Sequence, residues 1–179
     1  MGYNKGNNGN GGREQLIFSF PPIVDENCRV LILGTMPGEE SLRRQQYYGN
    51  SRNAFWKIIY ALFDREPDAE YEKRKMFLLE HGIAVWDVIM RCEREGSRDN
   101  NIKNPVPNDL QWLFRTYPNI RNICFNGGEA QKFYRRLIEN GIGFNAGREF
   151  HKLPSTSPSY SKISFSEKLE RWKLIKTLI

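Results

Sequence analysis

The chain has 179 residues, of which 39% are hydrophobic and 13% aromatic, a size and composition typical of one globular domain. Its 27 Lys and Arg residues outnumber its 21 Asp and Glu residues, and the formal charge of +6 favours a polyanionic partner such as nucleic acid. No apolar run reaches about 18 residues and no signal core opens the sequence, so we expect neither a membrane span nor secretion.

The three cysteines, Cys28, Cys92 and Cys124, lack the close spacing of a metal knuckle or a disulfide framework. We therefore expect three free thiols in a reducing compartment. This expectation places the protein in the cytoplasm, or at the nucleoid if the source is bacterial or archaeal.

The first third of the chain predicts a tail, an extended segment and a buried strand. Residues 1–13 are rich in Gly and Asn and are predicted to be a disordered tail before a single domain over 14–179. Residues 16–24 are apolar but interrupted by a Pro pair, which predicts an extended segment along the sheet edge or across the core. Residues 30–33 are continuously apolar, as in a strand buried on both faces of a parallel sheet. The motif GTMPG at 34–38 then forces a tight turn.

The remainder alternates helical and strand patterns. The predicted helices are 53–63, 69–80, 108–116, 129–140 and 165–179, and the predicted later strands are 83–89, 120–125 and 149–153. Residues 91–107 are predicted to be a long polar loop, of a length that is usually functional or disordered. Four strands separated by helices predict an α/β fold, a three-layer α/β/α sandwich with a four-stranded parallel sheet.

Each predicted strand ends in an unusual segment. These segments are GTMPG at 34–38, Trp86-Asp87, Asn126-Gly127-Gly128 and LPSTSP at 153–158. The carboxyl ends of parallel strands meet at one edge of a sheet, where open α/β sheets bind ligands. Turn formation explains any single segment equally well. The four together predict an active site.

Three motifs carry a resemblance to a known family: VLILGTMPGEESLRRQQYYG at 30–49, RNAFW at 52–56 and LPSTSP at 153–158. They resemble the uracil-DNA glycosylase superfamily, and most closely its hypoxanthine-DNA (deoxyinosine) glycosylase family, over residues 20–172. The resemblance implies a monofunctional DNA repair enzyme that hydrolyses the N-glycosidic bond of a deaminated base, with hypoxanthine expected. It implies DNA as partner, a monomer, no membrane, and no metal or organic cofactor. The iron–sulfur cluster of some relatives needs four cysteines, and this chain has three.

Met36 is a departure from the related mismatch-specific enzymes, which carry at this position an Asn that orients the attacking water. A thioether cannot hold that water, so the resemblance puts Asn53 forward in its place. Capping of the following helix explains Asn53 equally well, and the two roles are compatible. Tyr48, or its neighbour Tyr47, would stack on the flipped base, with ordinary packing as the alternative.

Asp87 stands where pyrimidine-specific relatives carry an amide that reads the base edge. A buried carboxylate is costly without a partner, and this one would accept the ring N–H of hypoxanthine. A loop-ordering Asp bound to backbone amides is an equally good explanation. Asn126 is a weaker candidate, for which a structural turn is the better explanation. The resemblance thus gives Asn53 and Asp87 as catalytic residues and Met36, Tyr48, Asp87 and Asn126 as base-binding residues.

The loop at 153–158 resembles the second motif of the superfamily, with Leu153 where several relatives carry His. This loop would press into the minor groove, with Tyr160 or Ile163 as the wedge. His151 lies two residues early and is predicted to be buried or near a phosphate rather than to act as an acid. The predicted DNA-contacting residues are Arg43, Arg44, Lys152, Ser155, Ser157, Tyr160 and Lys162. Surface solubility explains the basic residues among them equally well.

Three alternatives remain open from the sequence. The enzyme would excise uracil or mismatched thymine instead of hypoxanthine, or the chain would be a non-catalytic nucleic-acid-binding member in which Met36 marks lost chemistry. A bifunctional enzyme would use a Lys amine as nucleophile, with Lys152 as the candidate within the motifs.

Overall fold

A computed structural model describes residues 15–139 and 147–179. The predicted tail at 1–13 lies outside these residues. In chain order the strands are β1 (Gln15–Phe18), β2 (Val30–Gly34), β3 (Ile83–Asp87), β4 (Ile89–Arg94), β5 (Lys103–Pro107), β6 (Asn122–Asn126) and β7 (Glu149–Leu153). The helices are α1 (Glu39–Arg44), α2 (Phe55–Ala61), α3 (Tyr71–Glu80), α4 (Leu110–Thr116), α5 (Gly128–Leu137), α6 (Phe165–Trp172) and α7 (Ile175–Leu178).

The main sheet has four parallel strands in the order β3-β2-β6-β7. Every residue of β2 and β3 is buried, because helices cover both faces of the sheet. α3 packs on β3, α5 packs on β6 and β7, and α2 packs on α6. The predicted α/β/α sandwich with a four-stranded parallel sheet is therefore confirmed.

A second sheet was not expected from the sequence. It is antiparallel, in the order β1-β4-β5, and it occupies most of the segment predicted to be a long polar loop at 91–107. That prediction is wrong because β4 is polar in sequence, with Arg94 among its buried residues, and its pairing with β1 is a long-range contact. The pairing of β4 with β5 also carries register shifts, which blur the alternation typical of a strand.

The apolar segment at 16–24 contributes to both sheets. β1 pairs with β4 in the small sheet, while Ile23 forms an isolated antiparallel bridge with Val85 of the main sheet. The predicted final helix at 165–179 consists of two helices, α6 and α7, separated by Lys173 and Leu174.

The three cysteines are buried and free, as predicted. Burial raises the pKa of Cys28 and of Cys124 to about 12, so both thiols stay protonated. Within residues 15–139 and 147–179, no helix is long and apolar enough to cross a membrane.

Candidate active site

The ends of β2 and β3 bring Gly34 beside Asp87. The two residues are partners in the parallel register, so both lie at the carboxyl edge of the main sheet. The Asp87 side chain is buried, with the residue only 4% exposed. Its Oδ2 accepts a hydrogen bond of 2.9 Å from the hydroxyl of Ser19, which follows β1.

Because Gly34 has no side chain, the Asp87 carboxyl and the Tyr48 hydroxyl can both lie close to its backbone. A Cβ at this position would overlap Oδ1 of Asp87 and would lie 3.2 Å from the hydroxyl of Tyr48. The requirement for glycine is therefore a close approach rather than a special backbone conformation. The carboxyl of Asp87 and the hydroxyl of Tyr48 therefore both lie close to the backbone of the first motif.

Asp87 is close to its titration point at neutral pH. Burial raises the pKa of its carboxyl to about 7, and the Ser19 hydrogen bond opposes that rise. The charge of Asp99 raises the pKa further and that of Arg94 lowers it. A carboxyl with such a pKa can accept or donate a proton at the pH of a cell.

Tyr48 presents an aromatic ring beside this carboxyl. Its backbone is left-handed, with φ of 54°, and its ring stacks on Phe55 with centroids 3.7 Å apart. No residue in the described part of the chain hydrogen-bonds to its buried hydroxyl. Burial, and then the charge of Asp87, raise the pKa of that hydroxyl, and the nearby side chain of Asn126 opposes the rise, so the hydroxyl remains protonated.

Tyr47 is used differently from its neighbour. It is 3% exposed, and its hydroxyl donates to the backbone carbonyl of Phe20 at 3.0 Å. Its ring packs edge-on against Phe20. Tyr47 is thus a core residue, which leaves Tyr48 as the candidate for stacking on a base.

Asn53 precedes Ala54, the N-cap residue of α2, and its side chain contacts the first turn of the helix. Its Oδ1 accepts from the backbone N–H of Phe55 at 2.9 Å, at the start of α2. The next residue, Ala54, donates its N–H to the carbonyl of Thr156 at 3.0 Å. Asn53 is therefore held against the loop that follows β7.

Asn126 holds the same loop from the end of β6. Its Nδ2 donates to the Thr156 hydroxyl and its Oδ1 accepts from the Thr156 N–H, both at 2.9 Å. The indole N–H of Trp172 donates to the carbonyl of Pro154 at 2.9 Å, and Thr156 is itself buried. The structure thus gives Asn126 a bracing role, and its contact with a base stays a prediction.

Gly127 completes this junction. Its φ of 100° is left-handed, and a Cβ here would lie 2.8 Å from the Cβ of Ser155. Ser155 accepts from the Ser157 N–H at 3.2 Å, and the hydroxyls of Ser157 and Ser159 lie 2.8 Å apart. The serines of the loop therefore order its backbone.

Met36 is buried in the hydrophobic core, only 7% exposed. The turn around it is supported by Arg94, a buried residue whose guanidinium donates to the carbonyls of Pro37 and Gly96. The contact of Met36 with a base also stays a prediction.

Comparison with known proteins agrees with this architecture. A sequence profile of the Uracil DNA glycosylase superfamily matches residues 21–177. The chain belongs to that superfamily. The predicted resemblance is therefore confirmed, and the convergent strand ends described above lie within the matched region.

Two similar proteins come from species of Methanosarcina. A hypoxanthine DNA glycosylase of Methanosarcina acetivorans is 39% identical over 157 residues, which cover 87% of this chain and 95% of the relative. A hypoxanthine DNA glycosylase of Methanosarcina barkeri is 36% identical over 115 residues, 64% of this chain and 73% of the relative.

A solved structure shows the same fold. It is the solution NMR structure of a Methanosarcina acetivorans protein described as a uracil DNA glycosylase candidate. It is 36% identical to this chain, with a TM-score of 0.74, and the match covers 90% of this chain and 99% of that one.

The predicted DNA-contacting residues lie in two places, on α1 and in or near the loop at 153–158. Arg43 and Arg44 are exposed on α1, but both pair with Glu40 of the same helix. Lys152 and Lys162 are exposed near the second loop. Tyr160 lies beneath the ammonium of Lys168, which is 5.3 Å from its ring centroid. None of these contacts with DNA is tested, and they stay predictions.

His151 lies part-way along β7, away from the carboxyl edge. It is partly buried, and its Nε2 lies 3.4 Å from Oδ1 of Asn122 and 3.7 Å from a carboxylate oxygen of Glu149. This placement agrees with the expectation that it does not act as an acid at the site.

Sequence reasoning missed three residues at this glycosylase-like site: Ser19, Arg94 and Thr156. Ser19 gave a weak signal as a single hydroxyl within an apolar segment. No feature of the sequence marked Arg94 as a site residue, because it lies in the segment that was predicted to be a loop. Within the described residues, no group of three or more His, Cys, Asp or Glu side chains is arranged to hold a metal ion.

Proposed function

We propose that the protein is a monofunctional DNA glycosylase that hydrolyses the N-glycosidic bond of deoxyinosine. Membership of the superfamily and the two relatives named hypoxanthine DNA glycosylase support the reaction and the base. The protein would act as a monomer on cytoplasmic DNA.

The observation that carries the proposal is the position of the Asp87 carboxyl. It lies at the end of a buried strand, with its Oδ1 against Gly34 and the Tyr48 hydroxyl near the same glycine. A buried carboxyl without an ion-pair partner costs free energy in a purely structural role. An ionised Oδ1 suits the N1–H of hypoxanthine, because a carboxylate only accepts hydrogen bonds.

The flipped base would stack on the ring of Tyr48, which is itself supported from the other side by Phe55. Aromatic stacking of this kind compensates for the unstacking that base flipping requires. The position of Tyr48 is rigid, since its hydroxyl is buried and its ring is clamped on Phe55.

Asn53 would hold the attacking water. Its Oδ1 uses one lone pair on the N–H of Phe55, which leaves a second lone pair and the Nδ2 donors for a water molecule. The N-glycosidic bond would break with its electron pair going to the base as the sugar develops oxocarbenium character. The water would then add to the anomeric carbon, and its proton would pass through solvent to the departing hypoxanthine. The capping contact fixes the amide and so contributes to its orientation.

The loop at 153–158 would contact the DNA backbone. Hydrogen bonds with Asn126, Trp172 and Ala54 hold the loop in place. It would therefore meet DNA as a fixed element, with Tyr160 or Ile163 as the wedge. Ser155, Ser157, Lys152 and Lys162 would supply the phosphate contacts, which fix register without reading sequence.

The test is a panel of oligonucleotides carrying hypoxanthine, uracil, xanthine or a mismatched thymine, followed by alkaline cleavage of abasic sites. We expect hypoxanthine to be released faster than uracil. Equal or faster release of uracil would overturn the substrate assignment. Cleavage of none would favour a binding protein without chemistry, with Met36 as the sign of that loss.

The monofunctional mechanism has its own test. Borohydride traps the Schiff base that a lysine nucleophile forms with the abasic sugar. We expect no trapped complex with deoxyinosine DNA. A trapped complex that disappears in Lys152→Ala would show that the enzyme is bifunctional.

A further inference from the structure

Ser19 is held in place more firmly than a surface serine. Its backbone N–H donates to the carbonyl of Met90 at 2.7 Å, at the end of the β1–β4 pairing. The carbonyl of the next residue, Phe20, accepts from the indole of Trp86 and from the hydroxyl of Tyr47, each at 3.0 Å. The serine hydroxyl is therefore delivered to Asp87 by a rigid segment from the small sheet.

This hydroxyl determines which carboxyl oxygen faces the site. Oδ2 of Asp87 accepts from Ser19 at 2.9 Å, and Oδ1 lies against Gly34, where an added Cβ would overlap it. Across residues 15–139 and 147–179, no hydrogen-bond donor reaches Oδ1. One oxygen is anchored by the fold, and the other is left to bind a ligand.

We propose that Ser19 is a positioning residue for base recognition, which holds Asp87 as an ionised hydrogen-bond acceptor with Oδ1 presented to the base. The inference rests on the proposed function of the same site and deepens it. Ser19 does not touch the base and acts only through Asp87.

The Ser19 hydroxyl has one proton, and the 2.9 Å bond to Oδ2 of Asp87 is much shorter than the 3.5 Å contact with the carbonyl of Phe20. A hydroxyl that donates to a carboxylate stabilises its ionised form relative to the protonated acid. An ionised Asp87 accepts from the N1–H of hypoxanthine, whereas the N1 of adenine is itself an acceptor and is repelled. If the carboxyl were protonated it would instead donate, and this discrimination would be lost.

Several titratable groups surround the Asp87 carboxyl and affect its titration. Tyr47, Tyr48 and Tyr71 keep their protons, because burial raises the pKa of each hydroxyl. Asp99 raises the pKa of Asp87, and Arg94 lowers it. Burial also raises the pKa of Asp99, so Asp99 is the second carboxyl in this region whose titration must be separated from that of Asp87.

The experiment compares Ser19→Ala with the unmodified protein from pH 5.5 to pH 9. Excision of hypoxanthine is measured in single turnover at enzyme concentrations below saturation. The pH profile then reports the pKa values of groups in the free enzyme. We expect the unmodified protein to lose activity as pH falls through about 7, the pKa of Asp87. In Ser19→Ala this acid limb should move upward by about one pH unit, because the carboxylate loses a donor.

Two further variants separate positioning from folding. Ser97→Ala removes another serine beside a carboxylate, at the exposed Glu39, and its profile should match that of the unmodified protein. Asp87→Asn cannot titrate, so the acid limb should disappear. At pH 9 the activity of Ser19→Ala should approach that of the unmodified protein, which a merely misfolded variant would not do.

The outcomes are distinguishable from failure of the proposed function. If the unmodified protein releases no base at any pH, the proposed function is wrong. If it releases hypoxanthine but Ser19→Ala has the same acid limb, the role of Ser19 is wrong. Persistence of the limb in Asp87→Asn would assign it to Asp99 and overturn the inference as well.

Discussion

The two walls of the candidate site treat their polar groups in opposite ways. The carboxylate wall, made of Ser19, Gly34, Tyr48 and Asp87, keeps a buried acid near its titration point and a buried phenol without a partner. The amide wall, made of Asn53, Asn126 and Thr156, has hydrogen bonds of 2.9 to 3.0 Å that join three separate segments.

The difference teaches which groups maintain the fold and which are available for chemistry. Satisfied amides stabilise a protein, and an unsatisfied buried group costs about 1–3 kcal/mol. The carboxylate wall therefore lowers stability, and its unsatisfied groups are the ones that would bind a base. The amide wall stabilises the loop that would contact DNA. Asn53 belongs to both categories, because its amide makes a structural hydrogen bond and would also hold the attacking water.

The largest expected effect comes from Asn53, where the two categories overlap. If its amide positions water, Asn53→Ala should lower the single-turnover excision rate by at least about 100-fold. If it only caps α2, the cost should be about 0.5–2 kcal/mol in stability, with excision per folded molecule almost intact. Asn53→Asp is the matched variant, since Asp caps equally well but places a charge beside the sugar. Melting temperature and rate are measured on the three proteins together, and a folded, fully active Asn53→Ala protein would remove Asn53 from the mechanism.

The second-largest expected effect is a gain in the free energy of unfolding when Asp87 of the carboxylate wall is replaced by Asn. The pKa of Asp87 is about 7 in the folded protein and near 4 in an unfolded chain, so between these values the folded state holds the extra proton. Stability from this residue therefore falls as pH rises from about 4 to about 7. Asp87→Asn should be more stable than the unmodified protein at pH 8, by about 1–4 kcal/mol.

The measurement is denaturant unfolding of both proteins at pH 4.5 and pH 8. The gain should be much smaller at pH 4.5, where Asp87 is protonated in the folded state. An equal gain at the two pH values would mean that Asp87 is already ionised at pH 4.5, against the raised pKa.

On the amide wall the expected effect has the opposite sign. Asn126→Ala removes two hydrogen bonds to Thr156 and should lower stability by about 1–2 kcal/mol. Thr156→Val is the matched control, since it removes only the hydroxyl and should cost about half as much. An Asn126→Ala protein of unchanged melting temperature and reduced hypoxanthine affinity would instead support base reading by Asn126.

The smallest effect concerns the predicted phosphate contacts. Binding to DNA should weaken with salt as expected for only a few neutralised phosphates, because the basic excess is small. Lys162→Ala should lower the slope of log affinity against log salt by about 1. Arg43→Ala should change it less, since that guanidinium is paired with Glu40. Affinity that does not depend on salt would contradict both expectations.

The main sheet was predictable because its signal is local. The apolar runs of β2 and β3 and the turns that follow them specify buried parallel strands, and parallel strand ends meet at one edge. The sequence therefore determined that GTMPG and Asp87 are neighbours. The motifs at 30–49, 52–56 and 153–158 also identified the superfamily.

Tertiary structure decided how each of these residues is used. Ser19 reaches Asp87 across 68 positions of sequence, through a small sheet whose strand β4 is polar and carries little local pattern. Asn126 was expected to form a turn or read a base, and nothing in the sequence indicated that its amide holds Thr156, 30 positions away. Hydrogen bonds between distant segments leave no periodicity in the sequence. The direction of a side chain, the pKa of a carboxyl and the partner of an amide were therefore fixed only by the folded chain.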